Sequence, residues 1–131
     1  MPDIHTALGA GPPAGTVQIT LFIPSVDRGA ERIDQLAWRE LALSTLGRLF
    51  RGATSFPPGR GVWHDEATGN LVFDDTVMVT SYVPADSLTG ANLAVLRGYL
   101  HRLGREANQG EVGLVIDNRY YGITAFDNPK E

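Results

Sequence analysis

The sequence predicts an α+β domain of ferredoxin-like type: a β-α-β-β-α-β sandwich with an extra C-terminal strand, in which two helices cover one sheet face. Two observations lead to this prediction. Segments in which apolar residues alternate with polar ones are separated by two longer segments with helical apolar spacing. The order of these segments along the chain is that of a split βαβ fold, and one further extended segment follows.

The two longest strands are identified by their period of two. Residues Val17–Ile23 alternate throughout and end at Pro24. A longer extended segment is predicted over Leu71–Val83. Within it, Asp74-Asp75 interrupts the apolar pattern, which indicates a bulge or a strand edge.

Shorter strands are expected in the middle and at the end of the chain. Residues 55–61 contain two prolines and two glycines, so we expect an irregular segment there and a strand that starts at Val62. Two last strands are predicted over 111–117 and 121–126, and a turn joins them.

Two amphipathic helices are predicted. The first runs from about Glu31 to Phe50, and the second begins near Ser87, a good N-cap residue type, and closes at Gly110. His101 lies opposite the apolar stripe of the second helix, so we expect it to be exposed. Five leucines are predicted to be buried: Leu36, Leu43, Leu96, Leu100 and Leu103.

The composition is that of one water-soluble globular domain. Hydrophobic residues make up 43% of the 131 positions and charged residues 20%, and the absence of cysteine excludes disulfides and thiolate chemistry. We expect a flexible arm over residues 1–15, a single domain over 16–126 and a short tail over 127–131. No apolar segment approaches a membrane span and no secretory signal is recognisable, so we expect a cytoplasmic protein.

The sequence predicts neither a metal site nor a bound cofactor. His64, Asp65 and Glu66 are adjacent, and neighbouring residues on a strand point to opposite faces. No second histidine stands at ligand spacing. The glycines around Arg60 lack both the pattern and the following helix of a phosphate-binding loop.

The candidate ligand- or partner-binding residues are polar and aromatic. The richest polar stretch is 105–111, and Asp117–Tyr121 follows it; arginine and tyrosine are residue types favoured at binding hot spots. A cap network at the end of the second helix, formed by Asn108 and Gln109, is the structural alternative. The full set of candidates is Trp63, His64, Tyr82, Gln109, Asp117, Arg119 and Tyr121.

The sheet face that the helices leave open, here called the open face, is predicted to be partly apolar. Its residues are Thr20, Phe22, Met78, Thr80, Tyr82 and Val115. An apolar patch of this kind is unusual in contact with water and is typical of an interface or a ligand site. We predict that four side chains form an interface between copies of the chain: Phe22, Met78, Tyr82 and Val115.

Several short motifs are shared with a family of known proteins. The opening strand ends in Ile23-Pro24, the first helix ends in Leu49-Phe-Arg-Gly-Ala-Thr54, and Gly61-Val-Trp63 follows. The second helix runs into Arg105-Glu-Ala-Asn-Gln109. Over about residues 17–117 the chain therefore resembles the DUF3574-like family of small uncharacterised bacterial proteins. The resemblance implies a ferredoxin-like α+β sandwich and supplies no catalytic residue, and the segment 117–126 extends beyond it.

No motif identifies a reaction, and three functions stay open. The leading hypothesis is a non-catalytic binding or interaction module that self-associates as a dimer. The alternative is a small enzyme with an acid–base pocket between the sheet face and the C-terminal hairpin, whose ionisable groups come from Tyr82, His64, Asp117 or Tyr121. A nucleic-acid-associated role is disfavoured by the formal net charge of −4 and would use Arg48, Arg51, Arg60 and Arg119.

Overall fold

The structure is a computed structural model that describes residues 3–129. Within this range, six strands form one sheet: β1 Val17–Ile23, β2 Thr54–Ser55, β3 Gly59–His64, β4 Leu71–Val83, β5 Val112–Ile116 and β6 Arg119–Ile123. The α-helices are α1 Ile4–Leu8, α2 Gln35–Phe50 and α3 Gly90–Glu106. In this part of the chain no helix is long and apolar enough to cross a membrane.

The sheet is antiparallel, with the strand order β2-β4-β1-β5-β6 and with β3 paired to β4. Its centre is formed by β1 and β4, which pair over residues 17–23 and 77–83. The helices α2 and α3 pack against the same side of this sheet. The predicted fold class, a ferredoxin-like α+β sandwich with an extra strand, is therefore confirmed, and β6 is the extra strand.

The core lies between the two long helices and one face of the sheet. Alternate residues of β1 are buried there because a strand points every second side chain to the same face. Of the leucines predicted to be buried, Leu96, Leu100 and Leu103 are buried and Leu43 is half-buried against the core. Each fully buried leucine contributes about 1.5–3 kcal/mol through its removal from water.

Leu36 was predicted to be buried, and this prediction is wrong, because 60% of its surface is exposed. The buried residues of α2 are Ala42, Leu46 and Phe50, which follow a spacing of four. Leu36 is the second residue of α2, and at about 100° per residue it lies about 80° around the helix from Leu46. It therefore stands at the edge of the face that meets the sheet.

Both long helices begin later than predicted, at residues that cap them with a side chain. The Asp34 carboxylate accepts a hydrogen bond from Ala37 N at 3.1 Å, so α2 starts at Gln35 rather than near Glu31. The Thr89 hydroxyl accepts one from Asn92 N at 3.1 Å. Such caps satisfy amide groups that have no partner within the helix.

His101 was predicted to be exposed, and this prediction is also wrong, because only 7% of its surface is exposed. The chain after β6 turns back across α3 and covers it. The Phe126 ring meets the imidazole edge-on, and Asp127 N donates a hydrogen bond to His101 Nδ1 at 2.7 Å. The burial comes from a tertiary contact that helix periodicity does not encode.

Two strands lie where the sequence indicated irregular chain or a later start. Within 55–61, predicted to be irregular, Gly59 already begins β3, which tolerates this composition because it pairs with β4 alone. The strand β6 begins at Arg119, two residues before the predicted start at residue 121. Asp117 and Asn118 both have positive φ, 51° and 66°, and form the two-residue turn that joins β5 to β6.

The predicted arm over residues 1–15 contains α1, whose described residues are all at least partly exposed. Thr16 N donates a hydrogen bond to Val83 O at 3.0 Å and so joins the end of the arm to the sheet. In the predicted tail, Asp127 contacts α3, and residues 130–131 lie outside the described range.

Candidate functional site

The strand register brings the predicted open-face residues to one side of the sheet. Phe22 stands opposite Met78, and Thr20 stands opposite both Thr80 and Val115. Tyr82 stands opposite Gln18, which belongs to the same face. Cross-strand partners point to the same side, so these side chains form one continuous surface away from α2 and α3.

The centre of the open face is polar and its surroundings are apolar. The Thr20 and Thr80 hydroxyls are 3.1 Å apart and hydrogen-bond each other, and both residues are buried by their neighbours. Around them, Met78 and Tyr82 expose 41% and 65% of their surfaces. A satisfied polar pair within an apolar rim is an arrangement that can accept a flat apolar partner without leaving a polar group unpaired.

Tyr120 extends the open face across β6. Its hydroxyl donates a hydrogen bond to Glu111 Oε2 at 2.7 Å, and its ring lies 6.5 Å from the Phe22 ring. A Cβ at Gly113 would stand 2.4 Å from the Tyr120 Oη, so only glycine lets this side chain lie on β5. Burial, and then the bond to Glu111, raises the pKa of Tyr120 to about 12. The hydroxyl is therefore a proton donor at neutral pH.

A second exposed apolar region lies on β3 and residues 71–76 of β4, here called the ribbon. The pairing of β1 with β4 begins at Val77, so this part of the sheet has two strands. Two-stranded sheets are marginal in water by themselves. Four apolar side chains of the ribbon are between 51% and 60% exposed: Val62, Trp63, Leu71 and Phe73.

The predicted site residues do not converge on one pocket. His64 pairs with Leu71 at one end of β4, and Tyr82 lies near the other end. Tyr82 is eleven positions after Leu71 in the same strand, a distance of about 36 Å. Trp63 accompanies His64 on the ribbon.

The C-terminal hairpin is part of the sheet and forms no separate wall beside it. Asp117 N donates a hydrogen bond to Gln18 O at 3.0 Å, which ties the hairpin turn to the start of β1. Arg119 follows in β6, and Tyr121, opposite Leu114, points to the helix side. Acid–base groups from Tyr82, His64 and Tyr121 therefore have no common cavity within one chain.

Gln109 has a structural position. It is buried, and its side-chain amide donates to Val26 O and to Ala107 O, both at 3.0 Å. Beside it, Asn108 O accepts from Arg28 N at 2.9 Å. These bonds hold the loop after β1 against the end of α3, as the cap-network alternative predicted.

Within residues 3–129, no group of three or more histidine, aspartate or glutamate side chains is placed to hold a metal ion. The arginines considered for nucleic acid are also dispersed, since Arg60 is on β3 and Arg119 is on β6 at the opposite edge of the sheet. The polar pair that sequence reasoning missed is Tyr120 with Glu111. The glycines Gly113 and Gly122, paired across β5 and β6, are the signal that could have indicated a side chain lying on the sheet.

No family model and no curated protein matches the chain. Among solved structures, a phage SAM lyase in complex with S-methyl-5'-thioadenosine is similar, with 17% identity, a TM-score of 0.60, and coverage of 88% of this chain and 94% of that chain. The same phage SAM lyase in its apo state has 18% identity and a TM-score of 0.59. The divalent cation tolerance protein Cut A1 from Thermus thermophilus has 8% identity, a TM-score of 0.47, and coverage of 88% and 89%. At these identities, the likeness to the phage SAM lyase shows that the two chains share a fold.

Proposed function

We propose that the chain is a non-catalytic binding module that self-associates as a two-fold dimer through its open face. The observation that supports this most directly is the apolar rim of that face, where Met78 and Tyr82 are both exposed to water. Burial of such surface stabilises an assembly by about 25 cal/mol per Å². Because most soluble homo-oligomers have two-fold symmetry, the face would meet its own copy.

Light scattering of the purified chain tests the dimer. We expect the mass of a dimer for the wild type and of a monomer for the double variant Phe22→Glu/Met78→Glu, because two buried charges on each copy oppose association. Phe22 is half-buried, so Tyr82→Glu serves as a second variant at a largely exposed position. Circular dichroism checks that each variant is folded.

The matched control is Leu36→Glu/Val95→Glu, which places two charges at exposed apolar positions of α2 and α3. It should remain a dimer. A monomeric wild type at micromolar concentration would refute the proposal. A dimer that persists in the open-face variants and dissociates in the control would place the interface on the helices.

A small-molecule site is the second candidate function, and the ring cluster of the open face favours it. Phe22 and Tyr120 present neighbouring rings with Met78 beside them, and Tyr120 adds a hydroxyl. Purine bases stack on aromatic rings with about 1–3 kcal/mol per base. The phage SAM lyase of similar fold is described in complex with S-methyl-5'-thioadenosine. By this analogy of fold, we propose an adenosyl thioether as the ligand.

Amide NMR shifts with S-methyl-5'-thioadenosine and with S-adenosylmethionine test this candidate. Binding should shift amides of β1, β4 and β5. It should be weakened by Tyr120→Ala and not by Tyr121→Ala, since Tyr121 points to the helix side. Loss of S-adenosylmethionine over time would distinguish an enzyme from a binding protein. The absence of shifts with both compounds would contradict the candidate without bearing on the dimer.

A further inference from the structure

A concave site distinct from the open-face residues lies at the base of the ribbon, where β1 ends. Its cavity has a volume of about 230 Å³. The lining comes from the loop after β1, from β3 and from β4, and none of Phe22, Met78, Tyr82 and Val115 belongs to it. Five of the residues that line the cavity are charged or polar: Arg32, Arg60, Asp74, Asp75 and Ser25.

The wall between β1 and β4 is held in place by its own hydrogen bonds. Asp74 Oδ1 accepts from Ser25 N at 3.2 Å and also from the Ser25 hydroxyl. Gln35 Nε2 donates to Ile23 O at 3.0 Å and to Asp75 O at 2.8 Å, and so joins the end of β1 to β4. A site whose walls are already ordered loses little entropy when a ligand binds.

The two guanidinium groups keep donors available for a ligand. Arg32 makes no ion pair or side-chain hydrogen bond with any residue in the described range 3–129. Arg60 Nη1 stands 4.0 Å from Asp75 Oδ1, which is long beside the 2.7–2.9 Å of a tight charged pair. The Arg60 guanidinium instead lies over the Phe73 ring, 4.6 Å from its centroid.

The charges of the lining decide between classes of ligand. A simple anion would be attracted by two guanidinium groups but repelled by two carboxylates. A simple cation would be attracted by the carboxylates and repelled by the guanidinium groups. A molecule that carries both charges can bind the two guanidinium groups and the Asp75 carboxylate together, and the Phe73 ring offers its apolar part a surface. Because one water molecule occupies about 30 Å³, the cavity has room for roughly eight non-hydrogen atoms.

We propose that this cavity binds a small zwitterion with one carboxylate and one protonated amine, of the size of a free α-amino acid. Arg32 and Arg60 hold the carboxylate, and Asp75, which stands opposite Arg60 in the strand pair, holds the amine. The inference does not rest on the proposed dimer, because the two sites use different residues.

Three matched probes test the charge requirement: L-leucine, 4-methylpentanoate, which lacks the amine, and 3-methylbutylamine, which lacks the carboxylate. In amide NMR titrations of the full chain, we expect L-leucine to shift the amides of Ser25, Asp74 and Asp75 with a millimolar dissociation constant. Each analogue should bind about tenfold more weakly, the loss of one charged hydrogen-bonding group.

Two variants with matched controls locate the site. Arg32→Gln should weaken L-leucine binding about tenfold, whereas Arg28→Gln, in the same loop but outside the lining, should not change it. Asp75→Asn should weaken binding similarly, with the exposed Asp86→Asn as its control. The amide spectrum of each variant verifies that it is folded.

Three results would overturn the proposal. Equal affinity for 4-methylpentanoate and L-leucine would make the cavity an ordinary anion site. Shifts confined to the open face would assign the ligand to the other surface. No saturable shift with L-leucine, L-methionine or glycine would show that the cavity binds no free amino acid.

Discussion

Gly104 marks the place where the C-terminal segment crosses α3. A Cβ at Gly104 would stand 2.1 Å from the ring of Phe126. The same ring meets the His101 imidazole edge-on, with 6.0 Å between the ring centroids. Gly98, in the same helix, has no neighbour within 4 Å of the position that its Cβ would take. The two glycines therefore differ chiefly in their surroundings, because the Phe126 ring covers Gly104 and no group covers Gly98.

Gly98→Ala should raise the free energy of unfolding by up to about 1 kcal/mol, because alanine is the better helix former. Gly104→Ala gains the same helix preference but displaces the Phe126 ring, which we expect to lower that free energy by about 1–3 kcal/mol overall. Urea denaturation of both variants beside the wild type measures the difference. Equal stabilities would show that the ring moves aside without cost.

Leu100 and Leu36 were predicted to be equivalent core residues, and the structure separates them. Leu100 is buried against the sheet, so Leu100→Ala should lower the free energy of unfolding by about 2–5 kcal/mol through the cavity it leaves. Leu36 is largely exposed, so Leu36→Ala should change the free energy of unfolding by less than about 0.5 kcal/mol. Chemical denaturation compares the two. A small loss at Leu100 would mean that the core there can collapse.

Asp127 connects the C-terminal segment to α3 through several groups. Arg97 donates to both carboxylate oxygens, at 2.7 and 2.8 Å, and Arg105 Nη1 donates to the Asp127 carbonyl oxygen at 2.6 Å. The hydrogen bond from Arg97 lowers the pKa of Asp127, and the charges of Arg97, His101 and Arg105 lower it further. The segment is thus held by its backbone as well as by an exposed ion pair.

The lowered pKa of Asp127 predicts a pH dependence with a definite sign. The carboxylate adds to stability above its ordinary pKa of 3.8, and that contribution is lost as the pH falls through the lower pKa of the folded state. Asp127→Asn should therefore be less stable than the wild type near neutral pH, and the gap should narrow on acidification. Urea unfolding across this range measures it, with Asp86→Asn as control. A gap independent of pH would show that the charge of the carboxylate does not contribute, since the backbone bonds of residue 127 are the same in both proteins.

The order of the main elements could be predicted because β1, β4 and the two long helices each have their own apolar period. The strands β1 and β4 and the leucines of α3 follow local patterns that need no tertiary information. The burial of His101 could not be predicted in this way, because it depends on Phe126, which is 25 positions further along the chain. The pairing of Gly59 to Thr76 likewise depends on β4, and composition alone indicated a loop.

The candidate sites likewise divide into those that local alternation predicts and those that depend on tertiary contacts. Alternation along β1 and β4 was enough to assign Phe22, Met78 and Tyr82 to one face. The Tyr120–Glu111 pair depends on the exact start of β6. Because the strand was predicted to start at residue 121, two residues too late, Tyr120 was assigned to the turn and the pair was not predicted. The ribbon cavity joins residues from three separate segments, so no single motif could have indicated it.

The last prediction concerns the arm before β1, which makes few contacts with the rest of the chain. None of the residues of α1 is buried, and Ile4 and Leu8 expose 68% and 75% of their surfaces. The first firm attachment is at Gly15, which lies against the backbone of Tyr82, and at Thr16, which hydrogen-bonds Val83.

Deletion of residues 1–13 should therefore leave the melting temperature nearly unchanged, because it removes few native contacts. The mass in light scattering should also remain that of the wild type if copies meet through the open face. Gly15 stays in the truncated chain, so its contact with Tyr82 is retained and any change reports on the arm itself. A dimer that dissociates on truncation would show that the exposed Ile4 and Leu8 pack on the neighbouring copy. A lower melting temperature at unchanged mass would show that the arm packs against its own chain.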